Sequence, residues 1–343
     1  MRCPKLTELP PPPVGKTGWP WTEESESLLE AKGETRSWPR ISVITPSFNQ
    51  GEFLEETIRS ILLQGYPDLE YLILDGGSTD QSVEIIKKYS PWISYWISES
   101  DGGQSDAINR GLKRASGEFA IWINSDDLLC KKALVEHVSR YGCSTNTVYI
   151  GICVYIDANG KFLFEHQGRV HSLEDLVRVR EIWRSGGQIV QPEVLFPREL
   201  ALCIGGLNSD NHFTMDYELW GKLLCAGAKF QYTEIPFGIF RQHPAQKTHD
   251  PLQTTESLLK SAAELIRIAD CFTDKKKTEL LTVLAAYNAE YRSAYWKGTG
   301  RLARIGLPRG IVRSLRSLRK FFQKRSKPPI PATYKFSSTT RTR

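Results

Sequence analysis

The sequence predicts an α/β fold: a mostly parallel sheet with helices on both faces, followed by a helical C-terminal extension. Between residues 39 and 128, short apolar β-prone segments alternate with amphipathic segments of about 10–15 residues that follow helical spacing. Residues 252–297 repeat apolar side chains at helical spacing without strand-like segments. The composition, 40% hydrophobic and 24% charged, is that of an ordinary globular protein.

Four strands are predicted in the first part of the chain, each followed by a turn and a helical segment. Strands separated by helices form βαβ units, and the strands of such units are parallel. We expect Pro46 to end the first strand, because proline lacks the backbone N–H that a sheet requires. The predicted strands are 41–45, 70–74, 94–98 and 119–123.

The second part of the chain is less regular. A helix is predicted near 131–141 and another at 217–226, and the chain between 160 and 215 shows little periodicity. The predicted strands here are 148–156, 194–196 and 230–235.

Composition divides the chain into four segments. Residues 1–38 form a Pro/Trp-rich arm with four consecutive prolines, which exclude a helix or a sheet strand. Residues 39–249 form the α/β domain, 250–300 the helical extension and 301–343 a basic tail.

The tail determines the charge of the whole chain. Residues 301–343 contain thirteen Lys or Arg and no acidic residue, so the net charge of +6 leaves −7 for the rest. Within 309–325, apolar residues share one face of a predicted helix and basic residues cover much of the remainder. Such a helix suits an anionic membrane surface, or it packs on the domain with its charges solvated; both readings remain open. Nucleic-acid binding is disfavoured, because few aromatic residues lie among the charges.

Cysteine usage and hydropathy indicate the compartment. Seven cysteines lie without C-x-x-C spacing, which favours reduced thiols over a disulfide framework or a zinc site. No apolar run approaches the roughly 18–20 residues of a membrane span, and the first residues lack an apolar signal core. We therefore expect a cytoplasmic protein, held at the inner face of a membrane if the tail binds lipid.

Polar residues follow the ends of all four predicted N-terminal strands. The carboxyl ends of parallel strands meet at one edge of a sheet, where ligands bind in open α/β folds. The adjacent carboxylates Asp126 and Asp127 suit a hard divalent cation, Mg²⁺ or Mn²⁺, that bridges to a diphosphate. The alternative for this pair is a solvated turn that caps the next helix. The residues at the four ends are Thr45, Ser47 and Asn49, then Asp75, then Glu99 and Asp101, then Asp126 and Asp127.

The turn after the first strand argues against a dehydrogenase. A nicotinamide dinucleotide would require Gly-x-Gly-x-x-Gly there. Residues 45–51 contain a single glycine and a proline instead.

Two blocks of sequence resemble the family-2 glycosyltransferases of bacterial cell-surface polysaccharide synthesis, which are inverting enzymes with a Rossmann-like GT-A fold. The resemblance covers about 41–248, with 39–128 matching the nucleotide-sugar half and 129–249 the acceptor half. The matching segments are Ser42–Asn49, Leu74–Asp80, Asp101–Gly111 and Asn124–Asp127, then Gln191-Pro192, Gly205–Leu207, Met215–Trp220 and Phe240–His243.

The resemblance implies a role for each matching residue. Asp216 would be the general base for the acceptor hydroxyl. Asp127 would bind the metal ion with assistance from His243, and Asp126 would reach the ribose. The remaining nucleotide-sugar ligands would be Thr45, Ser47, Asn49, Asp75, Asp101 and Asn109, with Arg241 and Lys247 near the diphosphate.

The implied function is metal-assisted, inverting transfer of one sugar from a nucleoside-diphosphate sugar, expected to be a UDP-sugar, to a saccharide or lipid-linked acceptor. Processive members of the family carry Gln-x-x-Arg-Trp after the base and flanking membrane helices, and this sequence has neither. Acceptor contacts are expected from 160–215, and a homo-oligomer is left open. The alternatives are a sugar-phosphate nucleotidyltransferase, which would need a Gly-rich basic loop after the first strand, and a non-catalytic nucleotide-sugar-binding protein.

Overall fold

The computed structural model describes residues 3–25, 38–246 and 251–303. The strands are β1 (Ile41–Ser47), β2 (Leu69–Asp75), β3 (Tyr95–Ser98), β4 (Phe119–Trp122), β5 (Leu128–Leu129), β6 (Thr147–Asp157), β7 (Phe162–His166), β8 (Val194–Pro197) and β9 (Lys229–Gln242). The helices are α1 (Gly51–Leu62), α2 (Ser82–Tyr89), α3 (Gln104–Arg114), α4 (Ala133–Tyr141), α5 (Leu173–Val177), α6 (Val179–Ser185), α7 (Arg198–Cys203), α8 (Met215–Cys225), α9 (Pro251–Ile268) and α10 (Asp274–Ala303).

The strands form one sheet in the order β3-β2-β1-β4-β8-β6-β9-β5, with β7 paired to β6. Strands β1 to β4 are parallel, as predicted. In the second half, β8 is antiparallel to β4 and β6, whereas β6 and β9 are parallel. The predicted α/β class with helices around a mostly parallel sheet is confirmed.

Alternation along β1 explains why helices cover both faces. Val43 lies in the core that α1, α2 and α4 build on one face. Its neighbour Ile44 points to the other face, where a methyl group on Gly111 of α3 would come within 2.6 Å of the Ile44 side chain. Only a residue without a side chain allows α3 to approach the sheet this closely.

Strand β1 does not end at Pro46, contrary to expectation. It continues to Ser47, and Pro46 pairs in register with Leu74 of β2. On the other side of β1 the register with β4 stops at Trp122, opposite Ile44. Proline is tolerated here because the neighbouring strand on that side has already ended.

The N-terminal arm is packed against the α/β unit. Arg59 of α1, fully buried, donates hydrogen bonds to the carbonyls of Pro10, Pro20 and Trp21. The indole N–H of Trp19 donates to the carbonyl of Leu129 at 3.0 Å. Residues 3–25 therefore contribute to the same compact unit as the sheet, which extends to Ala285.

The expected helical extension is present as α9 and α10. A second compact unit begins at Ala286, within α10. The basic helix expected over 309–325 and the predicted ligand Lys247 lie outside the described residues. Within the described ranges, no helix is both long and apolar enough to cross a membrane.

Candidate active site

Asp127 lies inside the turn that follows β4. One carboxylate oxygen accepts the backbone N–H of Arg241 at 3.0 Å and the other accepts the side-chain amide of Asn124 at 3.2 Å. The residue is buried, and burial followed by the neighbouring charge of Asp126 raises the pKa of the Asp127 carboxyl well above its usual range. Asp127 is the residue predicted from the sequence to hold the metal, and both of its carboxylate oxygens accept hydrogen bonds from within the protein.

Asp126 faces the more open side of the same turn. Its carboxylate Oδ2 lies 2.9 Å from Nε2 of His243, and its side chain keeps 16% of its surface exposed. The ring of Phe53 supports His243, with ring centroids 4.9 Å apart. A carboxylate and an imidazole thus converge at the edge of the sheet.

Arg241 stabilises this turn from within. Its Nη2 lies 3.0 Å from a carboxylate oxygen of Glu56, and its Nε donates to the carbonyl of Asp126 at 3.0 Å. The guanidinium is buried and also lies over the ring of Phe53. Arg241, expected near the diphosphate, is therefore occupied inside the protein.

Helix α1 supplies the support beneath the turn. The hydroxyl of Thr57 lies 3.0 Å from the carbonyl of Ser125 and 2.8 Å from that of Asp127. Phe53, Glu56 and Thr57 occupy positions i, i+3 and i+4, which share one face of a helix. This face fixes where the two aspartates point.

Asp75, Ser47 and Thr45, predicted to bind the nucleoside, lie at or near the carboxyl ends of β1 and β2. Asp75 is buried and accepts hydrogen bonds from the backbone N–H and hydroxyl of Ser78 and from the hydroxyl of Ser98. The hydroxyl of Ser47 is buried without a hydrogen-bond partner among the described residues. Thr45 accepts a hydrogen bond from the hydroxyl of Tyr71 at 3.2 Å. An unpaired buried hydroxyl is costly, so Ser47 is the group here most ready for a ligand.

Three other predicted ligands are bound to neighbouring backbone. The side-chain oxygen of Asn49 accepts the N–H of Thr79 at 2.8 Å, and Asp101 accepts the N–H of Gly103 at 2.8 Å. The amide of Asn109 forms two hydrogen bonds with the backbone of Leu207, at 2.8 and 2.9 Å. These contacts shape the loops around the site.

Asp216 lies in the first turn of α8. It is half-buried, and burial raises the pKa of its carboxyl above the ordinary value. The preceding residue, Met215, accepts a hydrogen bond on its sulfur from the hydroxyl of Ser105 at 2.7 Å. Next to Ser105, the amide of Gln104 donates to Asn124 at 2.7 Å. This chain of contacts connects the start of α8 to the Asp126–Asp127 turn.

Sequence reasoning missed three residues at this edge. Phe48 exposes 61% of its surface directly after β1, and Glu56 and Asn124 hold the turn. Asn124 and Phe48 fall within the matching motifs and could have been selected from them. Glu56 carries no signal in the sequence, because its partner Arg241 is 185 residues away.

The residues present fit a divalent cation. Within the described part of the chain, no group of three or more His, Cys, Asp or Glu side chains could enclose a metal ion. Magnesium is usually bound by one or two protein ligands together with substrate phosphates and water, and imidazole is acceptable to several divalent ions. Asp126 and His243 supply two such ligands on the open side of the turn.

Sequence comparisons match part of the chain to a known family. Residues 42–202 match the family model described as Glycosyl transferase family 2. The chain is 29% identical over 225 residues to an uncharacterized glycosyltransferase of Rickettsia typhi, covering 64% of this chain and 69% of that protein. It is 36% identical over 135 residues to the poly(ribitol-phosphate) β-N-acetylglucosaminyltransferase TarP of Staphylococcus aureus, covering 38% of each chain.

Solved structures share the fold. Staphylococcus aureus TarS in complex with UDP superposes with a TM-score of 0.54 at 19% identity, covering 71% of this chain and 69% of that one. A mannosyltransferase from Pyrobaculum calidifontis in complex with GDP-Man and Mn²⁺ superposes with a TM-score of 0.52 at 20% identity, covering 82% and 88%. At these identities the likeness shows the fold alone.

Proposed function

Because the chain belongs to glycosyl transferase family 2 and is a glycosyltransferase, we propose that it transfers one sugar, with inversion, from a nucleoside-diphosphate sugar to a saccharide or lipid-linked acceptor. The observation that carries this proposal is the Asp126–His243 pair at the edge where β1, β2 and β4 end. UDP-sugars are the first donors to test, since a structural neighbour was solved with UDP. GDP-Man is the second, from the mannosyltransferase neighbour.

For the donor site, the geometry favours Asp126 rather than Asp127 as the metal ligand. Asp126 with His243 would hold Mg²⁺ or Mn²⁺, because their ligand atoms face each other on the open side. Asp127 would orient Asp126 through the turn. Ser47 and Asp75 would bind the nucleoside, and Phe48 offers an exposed ring to a base.

In the transfer step, Asp216 would remove the proton from the acceptor hydroxyl as its oxygen attacks the anomeric carbon. The bond from that carbon to the diphosphate oxygen breaks on the opposite face, so the configuration inverts. A bound divalent ion would neutralise the charge that develops on the leaving diphosphate. The raised pKa of Asp216 makes its carboxylate a stronger base than an exposed aspartate.

Thermal-shift measurements with UDP, UDP-GlcNAc and GDP-Man, each with and without Mn²⁺, test the donor site. At a ligand concentration of 100 times Kd, binding stabilises a protein by about 2.7 kcal/mol. Asp126→Asn should abolish the part of the shift that requires Mn²⁺. Asp127→Asn should lower the melting temperature of the protein without ligand, but it should retain more of the Mn²⁺-dependent shift than Asp126→Asn does. Asp210→Asn, in an exposed loop, is the matched control and should behave as wild type.

Asp216→Asn tests the transfer step. The variant should keep the nucleotide-dependent thermal shift. Its rate of sugar transfer, or its rate of donor hydrolysis when no acceptor is present, should fall by about 10²–10⁴-fold. A nucleotide-dependent thermal shift that is the same with and without Mn²⁺, and the same in Asp126→Asn as in wild type, would contradict the donor assignment. Unchanged turnover in Asp216→Asn would contradict the base.

A further inference from the structure

Asn211 connects three parts of the structure around the start of α8. Its side-chain oxygen accepts the backbone N–H of Thr214 at 3.0 Å. Its side-chain amide donates to the carboxylate of Glu218 at 2.9 Å and to the hydroxyl of Ser261 at 3.0 Å. Thr214 directly precedes α8, Glu218 lies in the first turn of α8, and Ser261 lies in α9. One amide therefore ties the loop before α8 to both helices.

Two hydroxyls of α9 continue this cluster. Ser257 and Ser261 are four residues apart, so they share one face of the helix. The hydroxyl oxygen of Thr214 lies 3.0 Å from that of Ser257 and 3.1 Å from that of Ser261. Ser257 also donates to the side-chain oxygen of Asn211 at 3.3 Å. Because Thr214 and Ser261 are buried, loss of these contacts would leave polar groups without partners, which is costly.

The carboxylate of Glu218 holds Asn211 from the side of α8. This carboxylate also pairs with Nζ of Lys222 at 2.8 Å. Burial raises the pKa of Glu218, but hydrogen bonds from Lys222 and Asn211 outweigh burial and hold this pKa below its ordinary value. Glu218 is therefore ionised at neutral pH. A hydrogen bond to an ionised group is roughly twice as strong as one between neutral groups.

Helix α9 is a firm support for the loop, because it also packs on the middle of α8. A methyl group on Gly221 of α8 would collide with the side chain of Leu265 of α9, and Leu265 is buried. The glycine therefore allows the two helices to approach closely. The Asn211 cluster fixes the beginning of α8 on the same helix that Gly221 contacts farther along.

Asp216 depends on this arrangement for its position. The carbonyl of Thr214 accepts the N–H of Glu218 at 3.0 Å, which is the first hydrogen bond of α8. The carboxylate of Asp216 accepts the N–H of the next residue, Tyr217, at 2.8 Å, a contact within its own turn. Its place in the site is therefore set by where α8 begins. A displacement of about 1 Å at a reacting group can cost roughly 100-fold in rate.

We propose that Asn211 is a positioning residue for sugar transfer, which fixes the start of α8 on α9 and so aims the carboxylate of Asp216 at the acceptor hydroxyl. This inference rests on the proposed function and adds a residue to it. Asn211 lies between the matching segments Gly205–Leu207 and Met215–Trp220, so the family resemblance assigns it no role. The inference also gives α9, the first helix of the extension, a part in placing the base.

A double-mutant cycle with Asp216→Asn tests the inference on the full chain. Asn211→Leu keeps the approximate volume of the side chain but removes its hydrogen bonds. With Asp216 present, this substitution should lower kcat by about tenfold, while KM for the donor and the Mn²⁺-dependent nucleotide shift stay at their wild-type values. In Asp216→Asn protein it should change kcat by less than about twofold, because the group that it positions is already gone.

Turnover is measured as release of UDP from UDP-GlcNAc, or of GDP from GDP-Man, with Mn²⁺ and well below the melting temperature of each variant. Thr214→Val is a second test variant, with the same shape but without the hydroxyl that contacts α9, and should give the same pattern if Asn211→Leu does not fold. Asn208→Leu is the matched control. Asn208 also donates to Glu218, at 3.2 Å, but its described hydrogen bonds include none to α9, so kcat should stay within about twofold of wild type.

Two results would overturn the inference. The first is an unchanged kcat in Asn211→Leu or, if that variant does not fold, in Thr214→Val. The second is an equal fall in kcat with and without Asp216, because a general disturbance of the fold lowers both backgrounds alike. Absence of the nucleotide shift or of donor turnover in wild type, or unchanged turnover in Asp216→Asn, would instead contradict the proposed function, so the two failures are distinguishable.

Discussion

Glu56→Gln tests whether helix α1 holds the Asp126–Asp127 turn through Arg241. In the native protein the charged Nη2 of Arg241 lies 3.0 Å from the Glu56 carboxylate, with side-chain exposures of 2% and 16%. The substitution keeps the size of the side chain and one acceptor oxygen but removes the negative charge. Arg241 then remains buried as a cation whose counter-charge is gone.

The magnitude follows from the burial of the pair. Breaking a fully buried ion pair by removing one partner costs about 3–5 kcal/mol. Because Glu56 retains some contact with water and glutamine still accepts a hydrogen bond, we expect a loss of about 2 kcal/mol in the free energy of unfolding. Because the unfolding entropy is about 2.1 cal/mol/K per residue and the compact unit extends to Ala285, that loss corresponds to a fall of about 3 °C in melting temperature.

The matched control is Glu264→Gln. Glu264 pairs with Arg267 on the surface of α9, with both side chains more than half exposed. Exposed pairs of this kind contribute about 0.3–0.5 kcal/mol, so the melting temperature of the control should fall by no more than about 1 °C. Differential scanning fluorimetry on the two variants and wild type measures the difference.

The Mn²⁺-dependent thermal shift distinguishes a change in the Asp126–Asp127 turn from a general loss of stability. Arg241 binds both Asp127 and the carbonyl of Asp126, so a displaced Arg241 should reduce the Mn²⁺-dependent nucleotide shift more than the shift without metal. A Glu56→Gln protein that melts like Glu264→Gln and keeps the whole metal-dependent shift would refute the proposed support.

Two further predictions concern the core. His137 is buried, burial lowers its pKa to about 4, and neither ring nitrogen has a partner in the described structure. The unfolded chain therefore binds a proton that the native state does not between about pH 6.5 and 4, so stability falls as pH falls through this window. Urea unfolding at pH 7.5 and 4.5 should show wild type losing about 2.5 kcal/mol more than His137→Phe, and equal losses would contradict the assignment. Arg59→Lys should release the N-terminal arm, because lysine cannot reach three carbonyls at once, and limited proteolysis should cut residues 3–25 several-fold faster than in wild type; an unchanged cleavage rate would show that the arm has other anchors.

Local periodicity predicted the parallel strands well, because buried β-rich segments and helical spacing are properties of contiguous residues. Strand ends that depend on a neighbouring strand were not predicted. Strand β1 continues beyond Pro46 because the adjacent strand β4 has already ended at that point. Strand β7 escaped prediction because Phe162 to Phe164 is an unbroken apolar run without alternation, and its bulge removes the two-residue period. The long β9 was predicted only as 230–235, although it continues to Gln242.

The order of the strand ends predicted that Asp126 and Asp127 would follow β4 at the edge where β1 and β2 also end, but not that the two carboxylates would point in different directions. The difference between them comes from Thr57 and Ser60 of α1 and from Gln64 just after it, which bind the chain from Ser125 to Cys130. The hydroxyl of Ser60 accepts the backbone N–H of Leu129 at 3.1 Å, and the amide of Gln64 donates to Cys130 at 2.8 Å. With the backbone fixed at these points and at Thr57, Asp127 turns towards Arg241 and Asp126 towards His243. The two carboxylates therefore differ because α1 and the residues just after it, 66–70 positions earlier in the sequence, hold Asp127 against the core. The Asp-Asp pair alone carries no information about these contacts.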